Sequence, residues 1–347
     1  MNKFDTSEYK VTYLLGAGAS AEALPTVKGN NGDDGLSYKF QVMANELKTN
    51  KLISDIHRDF SNELSANLLW LADGSNKFAT TDTYAKFLYL QDRNSLVKLK
   101  KTLSLYFTIE QFINHKIDKR TLTFLTTIMQ LNNIFPTNIK ILNWNYDFQI
   151  QLAAEVFRKE EFHPGTVYFH SPPLIGYYPT LGSEFFTNSN IDNNAISMVH
   201  LNGIAGFYFL ENENTILNLF LNKRPKDINE IFEKVKTHSD RKYDLLTFAW
   251  EKDTKSSNIL RARIKYAKSI INETDILVII GYSFPFFNRD IDKEIFKTLN
   301  ESGKLKKIFY QDPYRTGAFL KNQFELSDEV KIEHIEYKDN YYVPIEL

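Results

Sequence analysis

Residues Lys10–Ser20 read KVTYLLGAGAS. Lys10–Leu15 is apolar at most positions, the composition of a strand buried on both faces of a parallel sheet. Gly16-Ala17-Gly18-Ala19-Ser20 then supplies five small residues, and a helix is expected to start near Ser20 and stop before Pro25. A turn between a buried strand and a helix N-terminus needs residues without bulk. Its outward N–H groups, with the helix dipole behind them, can cradle a diphosphate. Gly16, Ala17, Gly18 and Ser20 are therefore candidate dinucleotide contacts. A tight turn that holds no ligand has the same composition. The third glycine of G-x-G-x-x-G is missing, with Ala21 in its place. No second strand with an acidic end follows about 20 residues on, as a nicotinamide dehydrogenase would have.

The periodicity beyond this unit alternates strands with helices. Strands are predicted at Asn138–Asn143, Ile196–Leu201, Asp275–Gly281 (DILVIIG) and Lys306–Gln311, with an alternating edge strand at Val330–Tyr337. Helices are predicted at Phe148–Phe157, Ser257–Asn272 and Ile291–Asn300. Between the first two strands the pattern changes: Tyr38–Leu47, Leu64–Leu71, Thr83–Leu90, Leu96–His115 and Lys119–Met129 carry helical spacing. Phe207–Leu210 and Leu245–Trp250 read as short strands around a polar, mobile stretch, Lys223–Asp244. His163–Asn190, rich in Pro, Gly and aromatics, reads as loops and short strands near a cleft. The expectation is an α/β, Rossmann-like, three-layer parallel sheet from residues 1–35 and 135–347, with 36–134 as an inserted helical subdomain.

Composition narrows the function classes. The 347 residues carry a net charge of −1, which argues against a generic nucleic-acid binder or a polybasic membrane-surface protein. Hydrophobic residues make up 43% and aromatics 14%, enough to fill a sizeable core. Cysteine is absent, so there is no disulfide, no thiolate-bound zinc and no thiol nucleophile. No His pair shows HExxH spacing, and no metal is expected. No apolar run approaches the ~20 residues of a membrane span. The first residues, MNKFDTSEYK, lack a signal-peptide stretch, and a cytoplasmic protein is expected.

Ligands of open α/β sheets bind outside the strands' carboxyl ends, where four further segments fall. In Asn143-Trp144-Asn145-Tyr146-Asp147, Asn145 could hold a water or a ribose hydroxyl. Asp147 could bind an amide or orient Asn145, and an Asx turn with Asp147 capping the next helix is the plainer alternative. In Met198–Gly206 (MVHLNGIAG), His200 is placed as a general base, unless it is a structural histidine. His170 is the second histidine of interest. Gly281-Tyr282-Ser283 closes the strongest strand, so that Gly281 and Ser283 could approach a phosphate or ribose. Asp312, in Gln311-Asp312, could read a ribose or adenine or simply make a turn before Pro313.

In combination and chain order these segments resemble the sirtuin family, in the divergent form found in bacterial anti-phage defence. Gly16–Ser20 matches its GAGxS loop and Ala23-Leu24-Pro25 resembles the G-I-P region downstream. Asn143–Asp147 resembles T-x-N-x-D, and Gly281-Tyr282-Ser283 resembles G-[TY]-S. The resemblance runs from residue 10 to about 312 and leaves out the helical segment. It implies a sirtuin-type domain that binds NAD as substrate, with the nicotinamide ribose near Asn145 and His200. The four-cysteine zinc ribbon of sirtuins is absent, which sets protein deacetylation aside. Defence-type relatives hydrolyse NAD to nicotinamide and ADP-ribose, so the expectation is an NAD glycohydrolase that depletes the infected cell. Catalytic roles fall on Asn145, His200 and Asp147. A non-catalytic NAD or ADP-ribose sensor is the alternative. Where the family has L-H-G this chain has Asn202-Gly203, with His200 two residues earlier on the same face of a strand. Either His200 serves as the base or Asn202 takes the place. An unregulated NAD hydrolase would kill its host, so control by homo-oligomerisation or by an ATPase or other defence subunit is expected.

Overall fold

The computed structural model describes residues 9–27, 29, 35–114, 116–130, 135–157, 175–178, 197–210, 215–218, 225–237, 242–251 and 255–347. The chain is α/β, built on a seven-stranded, all-parallel open sheet flanked by helices, a Rossmann-like arrangement. Its strands are β1 (Val11–Leu15), β2 (Ile139–Asn143), β3 (Tyr177–Tyr178), β4 (Met198–His200), β8 (Ile276–Ile280), β9 (Lys307–Gln311) and β10 (Lys331–Ile335). The order is β10-β9-β8-β1-β2-β4-β3. β1 thus stands where the strand order reverses, with β2 on one side and β8 on the other. The crevice at such a switch point is where open α/β sheets take ligands.

β1 and β8 are buried at every position. That is why both read as near-continuous apolar runs. Register aligns their carboxyl ends: Leu15 is opposite Asn143 of β2 and Ile280 of β8, and Asn143 is opposite His200 of β4. Motifs more than a hundred residues apart in sequence are therefore brought to one edge.

Between β1 and β2 lie α1 (Leu36–Thr49), α2 (Asp55–Lys77), α3 (Thr81–Gln91), α4 (Arg93–Phe112) and α5 (Lys119–Ile128). α1–α4 share one core with a smaller antiparallel sheet, β6-β5-β7, made of β5 (Phe207–Leu210), β6 (Thr215–Asn218) and β7 (Lys242–Asp244). α7 (Ile228–Thr237) adds Ile231 and Phe232 to the same core. α5 packs instead beneath the large sheet, where Phe124 and Leu125 join Val11, Tyr13 and Ile141. α6 (Gln149–Val156), α8 (Lys255–Ile271), α9 (Arg289–Glu301) and α10 (Phe319–Phe324) complete the elements used below. Among the described residues no helix is long and apolar enough to cross a membrane.

Three local expectations are corrected. After Gly16 the chain makes a short 3-10 turn, Ala17–Ser20, with no α-helix before Pro25. Leu245–Trp250 is not a strand: Leu245 and Thr247 give their N–H groups to Phe207 and Asn202, which holds the run outside any ladder, and it ends in a turn at Ala249–Trp250. The polar stretch 223–244 contains α7 and β7, because Ile228, Ile231, Phe232 and Val235 form an apolar stripe under a lysine-rich surface.

Candidate functional site

The loops after β1 and β8 touch backbone to backbone. Gly16 N donates to Ile280 O at 3.0 Å, and Gly18 N to Gly281 O at 2.9 Å. A Cβ on Gly16 would sit 2.6 Å from the Gly281 carbonyl oxygen. One on Gly18 would sit 2.7 Å from Gly281 Cα. Gly281 has φ +58°, and a Cβ there would lie 2.5 Å from Ala19 N. The glycines thus answer to a close approach of two chain segments as well as to a left-handed backbone. This approach uses the Gly18 amide, and Ala19 N donates to Gly16 O at 2.9 Å. Three of the amides expected to cradle a diphosphate, those of Gly16, Gly18 and Ala19, are therefore bonded within the protein, and Ala17 is the exposed residue of the loop.

Asn145 ties β2 to this loop. Its Nδ2 donates to Gly16 O at 2.8 Å and to Ser20 Oγ at 3.2 Å, while its own N–H is held by Asn143 Oδ1 at 3.0 Å. The Ser20 hydroxyl in turn hydrogen-bonds the Asp147 carboxylate. Asp147 Oδ1 also accepts Gln149 N at 3.1 Å, at the start of α6. Asp147 is therefore both a cap for α6 and a member of the cluster. Burial raises its pKa from 3.8 to about 6; the hydrogen bonds from Ser20 and Gln149 oppose the rise and the nearby Asp118 charge adds to it.

A further layer that no sequence motif announced holds the loop from below. Arg120, in the first turn of α5, donates from NH2 to Gly18 O at 3.1 Å and Ala19 O at 3.2 Å. Its Nε and NH2 pair with fully buried Asp118 at 3.0 and 2.5 Å. Asp118 also accepts the Glu22 amide at 3.2 Å. Tyr341, near the other end of the chain, donates its hydroxyl to Ala19 O. The segment carrying it is fastened by Gln311, whose Nε2 reaches Tyr337 O at 2.8 Å and Asn340 O at 2.7 Å and whose Oε1 accepts Tyr342 N at 2.9 Å. The only local trace of this layer in sequence is a capping aspartate, Asp118, which accepts Arg120 N at the start of α5 and gives no sign of the loop it supports.

His200 is fully buried and faces α6, with Nε2 2.7 Å from the Gln151 side-chain amide. Burial holds its pKa down to about 3, assisted by the Arg263 charge and opposed by the Asn145 backbone. The imidazole is neutral at pH 7 and sits behind Asn145. Asn202 is buried beside it and donates to Trp144 O at 3.4 Å. Gly203, at φ +87°, has no room for a Cβ, which would meet Leu245 O at 1.9 Å. Arg263 of α8 lies against this turn, donating to Thr247 Oγ1 at 2.9 Å and Leu245 O at 3.0 Å.

The remaining candidates are spread along the other half of the edge. Tyr282 is a core anchor: its hydroxyl donates to buried Asp292 at 2.8 Å and its ring stacks on Trp144 at 5.9 Å. Ser283 is exposed, and its carbonyl accepts Arg315 NH1 at 3.4 Å. Asp312 makes a turn, accepting Tyr314 N at 2.8 Å and Arg315 N at 2.9 Å. His170 lies outside the described residues. The structure therefore gathers Gly16, Ala17, Gly18, Ser20, Asn145, Asp147 and Gly281 into one contiguous cluster. It places His200 and Asn202 behind that cluster, and Ser283 and Asp312 at its flank. Among the described residues, no three His, Asp or Glu side chains are grouped to hold a metal.

Compared with known protein families and with curated proteins, the chain matches no family model and no curated sequence. Function is therefore read from the strand ends and the motifs they carry.

Proposed function

We propose that the chain is a sirtuin-like NAD glycohydrolase acting at the switch point beside β1. The observation that carries the reading is the bond from Asn145 to Gly16 O and Ser20 Oγ, which joins two sequence-distant motifs at adjacent strand ends. The third motif, Gly281-Tyr282-Ser283, closes on the same loop through Gly281. The site so formed is made of small residues that let a ligand approach the backbone closely, with fixed side-chain amide and carboxylate groups that suit the hydroxyls of a ribose.

In the reaction, the bond between ribose C1′ and the nicotinamide nitrogen breaks and its electron pair discharges the pyridinium. Water adds its oxygen to C1′ and gives up a proton. Asp147 is assigned as the acceptor, since a carboxylate titrating at about 6 is better matched to neutral pH than an imidazole held at about 3. Its negative charge also favours the positive ribose of the transition state. Asn145 orients the ribose and the water, and His200 acts as a positioning residue behind Asn145. The exposed tip of the loop at Ala17, with Ser283 and Asp312 on the flank, would line the rest of the dinucleotide. The defence role and control by assembly, with a second copy or another subunit, follow from the resemblance and belong to the same proposal.

The test is nicotinamide release from NAD by the purified protein beside Asn145→Asp, which keeps the side-chain shape and removes the donor. The parent is expected to release nicotinamide and the variant to lose about a hundredfold or more in turnover, the scale of mispositioning reacting groups. Equal turnover in both removes Asn145 from the site. NAD binding without release, in the isolated chain and with a partner subunit, favours the sensor reading, which the internally bonded Gly18 amide and the neutral His200 also suit.

A further inference from the structure

We propose that the cleft between α2, α4 and α7 is a binding site for a small organic anion with a flat, apolar body, distinct from the strand-end cluster. Its volume of about 510 Å³ falls within the range of small-molecule pockets. It shares no lining residue with the Gly16 loop.

Thirteen residues of α4 are buried, but the stripe Asn94, Val97, Lys98 and Lys101 is exposed although it faces protein across the cleft. Those positions fall on one face of a helix, and the same face continues inward to buried Leu105. Leu64 of α2, Val235 of α7 and Tyr208 of β5 complete the buried apolar floor. Val97, 50% exposed, and the partly buried Phe60 ring form apolar walls that solvent reaches. An isolated exposed valine is ordinary; an apolar floor continuous with apolar walls inside a concave space is the feature that takes a ligand.

The charge at the mouth selects its sign. Lys98, Lys101 and Lys236 line it against Glu63, with Asp244 deeper, opposite Tyr208 in the β5–β7 register. Two of the lysines are already placed: Lys98 Nζ stands 4.6 Å from the Trp70 ring centre, and Lys236 Nζ donates to Ile56 O at 3.0 Å. Each retains donors for an incoming carboxylate, sulfonate or phosphate. Asn67, Asn94 and Thr102 add uncharged polar groups on the same walls. The arrangement suits an acidic head at the lysines and a planar body against Phe60, Leu105 and Tyr208.

The test uses the full chain and anilinonaphthalene sulfonate, an aromatic anion whose emission rises on binding. Saturable binding of one equivalent is expected. Lys98→Gln with Lys101→Gln should weaken it about tenfold or more, because the acidic head then loses its charged hydrogen-bond donors. Leu105→Trp, which fills the floor, should abolish it. If that variant is poorly folded by circular dichroism, the exposed lysine pair still gives the answer. Excess NAD should leave the dye in place. Absence of saturable binding, indifference to the lysine pair, or displacement by NAD would each overturn the proposal.

Discussion

The strand-end cluster and the α2–α4–α7 cleft both gather polar side chains, yet they are built in opposite ways. At the edge of β1, β2 and β8 the backbone of one loop lies directly on the next, and side-chain donors and acceptors are held by one another. In the cleft three helices leave open space, and its charged groups stand largely in water. The edge fixes geometry before a ligand arrives, and a substitution there disturbs the fold as well as the site. The cleft offers room and charge, and a substitution on its exposed wall should change binding while the fold hardly notices.

The largest expected effect tests the rigid half. Arg120→Ala leaves Asp118 buried without its cation and takes one donor from each of the carbonyls of Gly18 and Ala19. A loss of about 3–5 kcal/mol in denaturant unfolding is expected, the usual cost of breaking a buried pair from one side. A loss under about 1 kcal/mol, the level of an exposed ion pair, would mean that the edge is not held as described.

Gly281→Ala comes next. Its left-handed φ and a backbone neighbour at 2.5 Å predict a loss of about 3 kcal/mol. Gly303 provides the control, with φ +64° and nothing within 4 Å of its Cβ position. Alanine there should cost only about 1–2 kcal/mol, the price of the left-handed backbone alone. Equal losses at the two positions would break the claim of loop-on-loop contact.

The pH response of Asp147 follows. Its folded pKa, about 6, lies above the unfolded value of 3.8, so the native state binds more protons between them. The contribution of Asp147 to stability therefore falls as pH rises through that window. Asp147→Asn removes the effect, and the variant should gain on the parent by about 2–3 kcal/mol between about pH 4 and about pH 7. His200 works in the other direction: its pKa is depressed to about 3, so its contribution is lost as pH falls below 6.5. The difference between parent and variant isolates the aspartate. In the proposed reaction, turnover of the parent rises with pH through about 6 and then levels.

The smallest effect belongs to the cleft. Val97→Ala, at a half-exposed position, should change stability by no more than about 0.5 kcal/mol while weakening dye binding. A large loss of stability would show that the cleft wall is part of the core.

The sheet was legible because its central strands are buried on both faces, and Val11–Leu15 and Ile276–Ile280 can hardly read as anything else. The helices were legible in kind but short in extent. Only Leu64–Leu71 of α2 carries an apolar stripe, itself interrupted by Ser65, since the buried face on either side uses His57, Ser61, Gly74 and Ser75. Ser65 Oγ bonds Ala44 O at 2.7 Å and Ser61 Oγ bonds Leu47 O at 3.1 Å, so the α1–α2 contact is partly hydroxyl to carbonyl and invisible to a hydrophobic pattern. At the site, the loop glycines and Asn145 could be read from local composition at strand ends. Asp118, Arg120 and Tyr341 could not, because their role exists only once α5 and the segment after β10 pack beneath the loop. The depressed pKa of His200 was hidden for the same reason: it is a product of burial, which a strand-end position alone does not state.

The hydroxyl of Tyr341 on the carbonyl of Ala19 spans 322 residues of chain. Synthesis runs from the Gly16–Ser20 turn towards Tyr341, so the turn is made before one of the groups that hold it. Until Tyr341 emerges, the Gly16–Ser20 turn lacks one of the groups that set its shape. A chain shortened before Tyr341 would keep every residue of the Gly16–Ser20 turn and still lose one of the contacts that shape it.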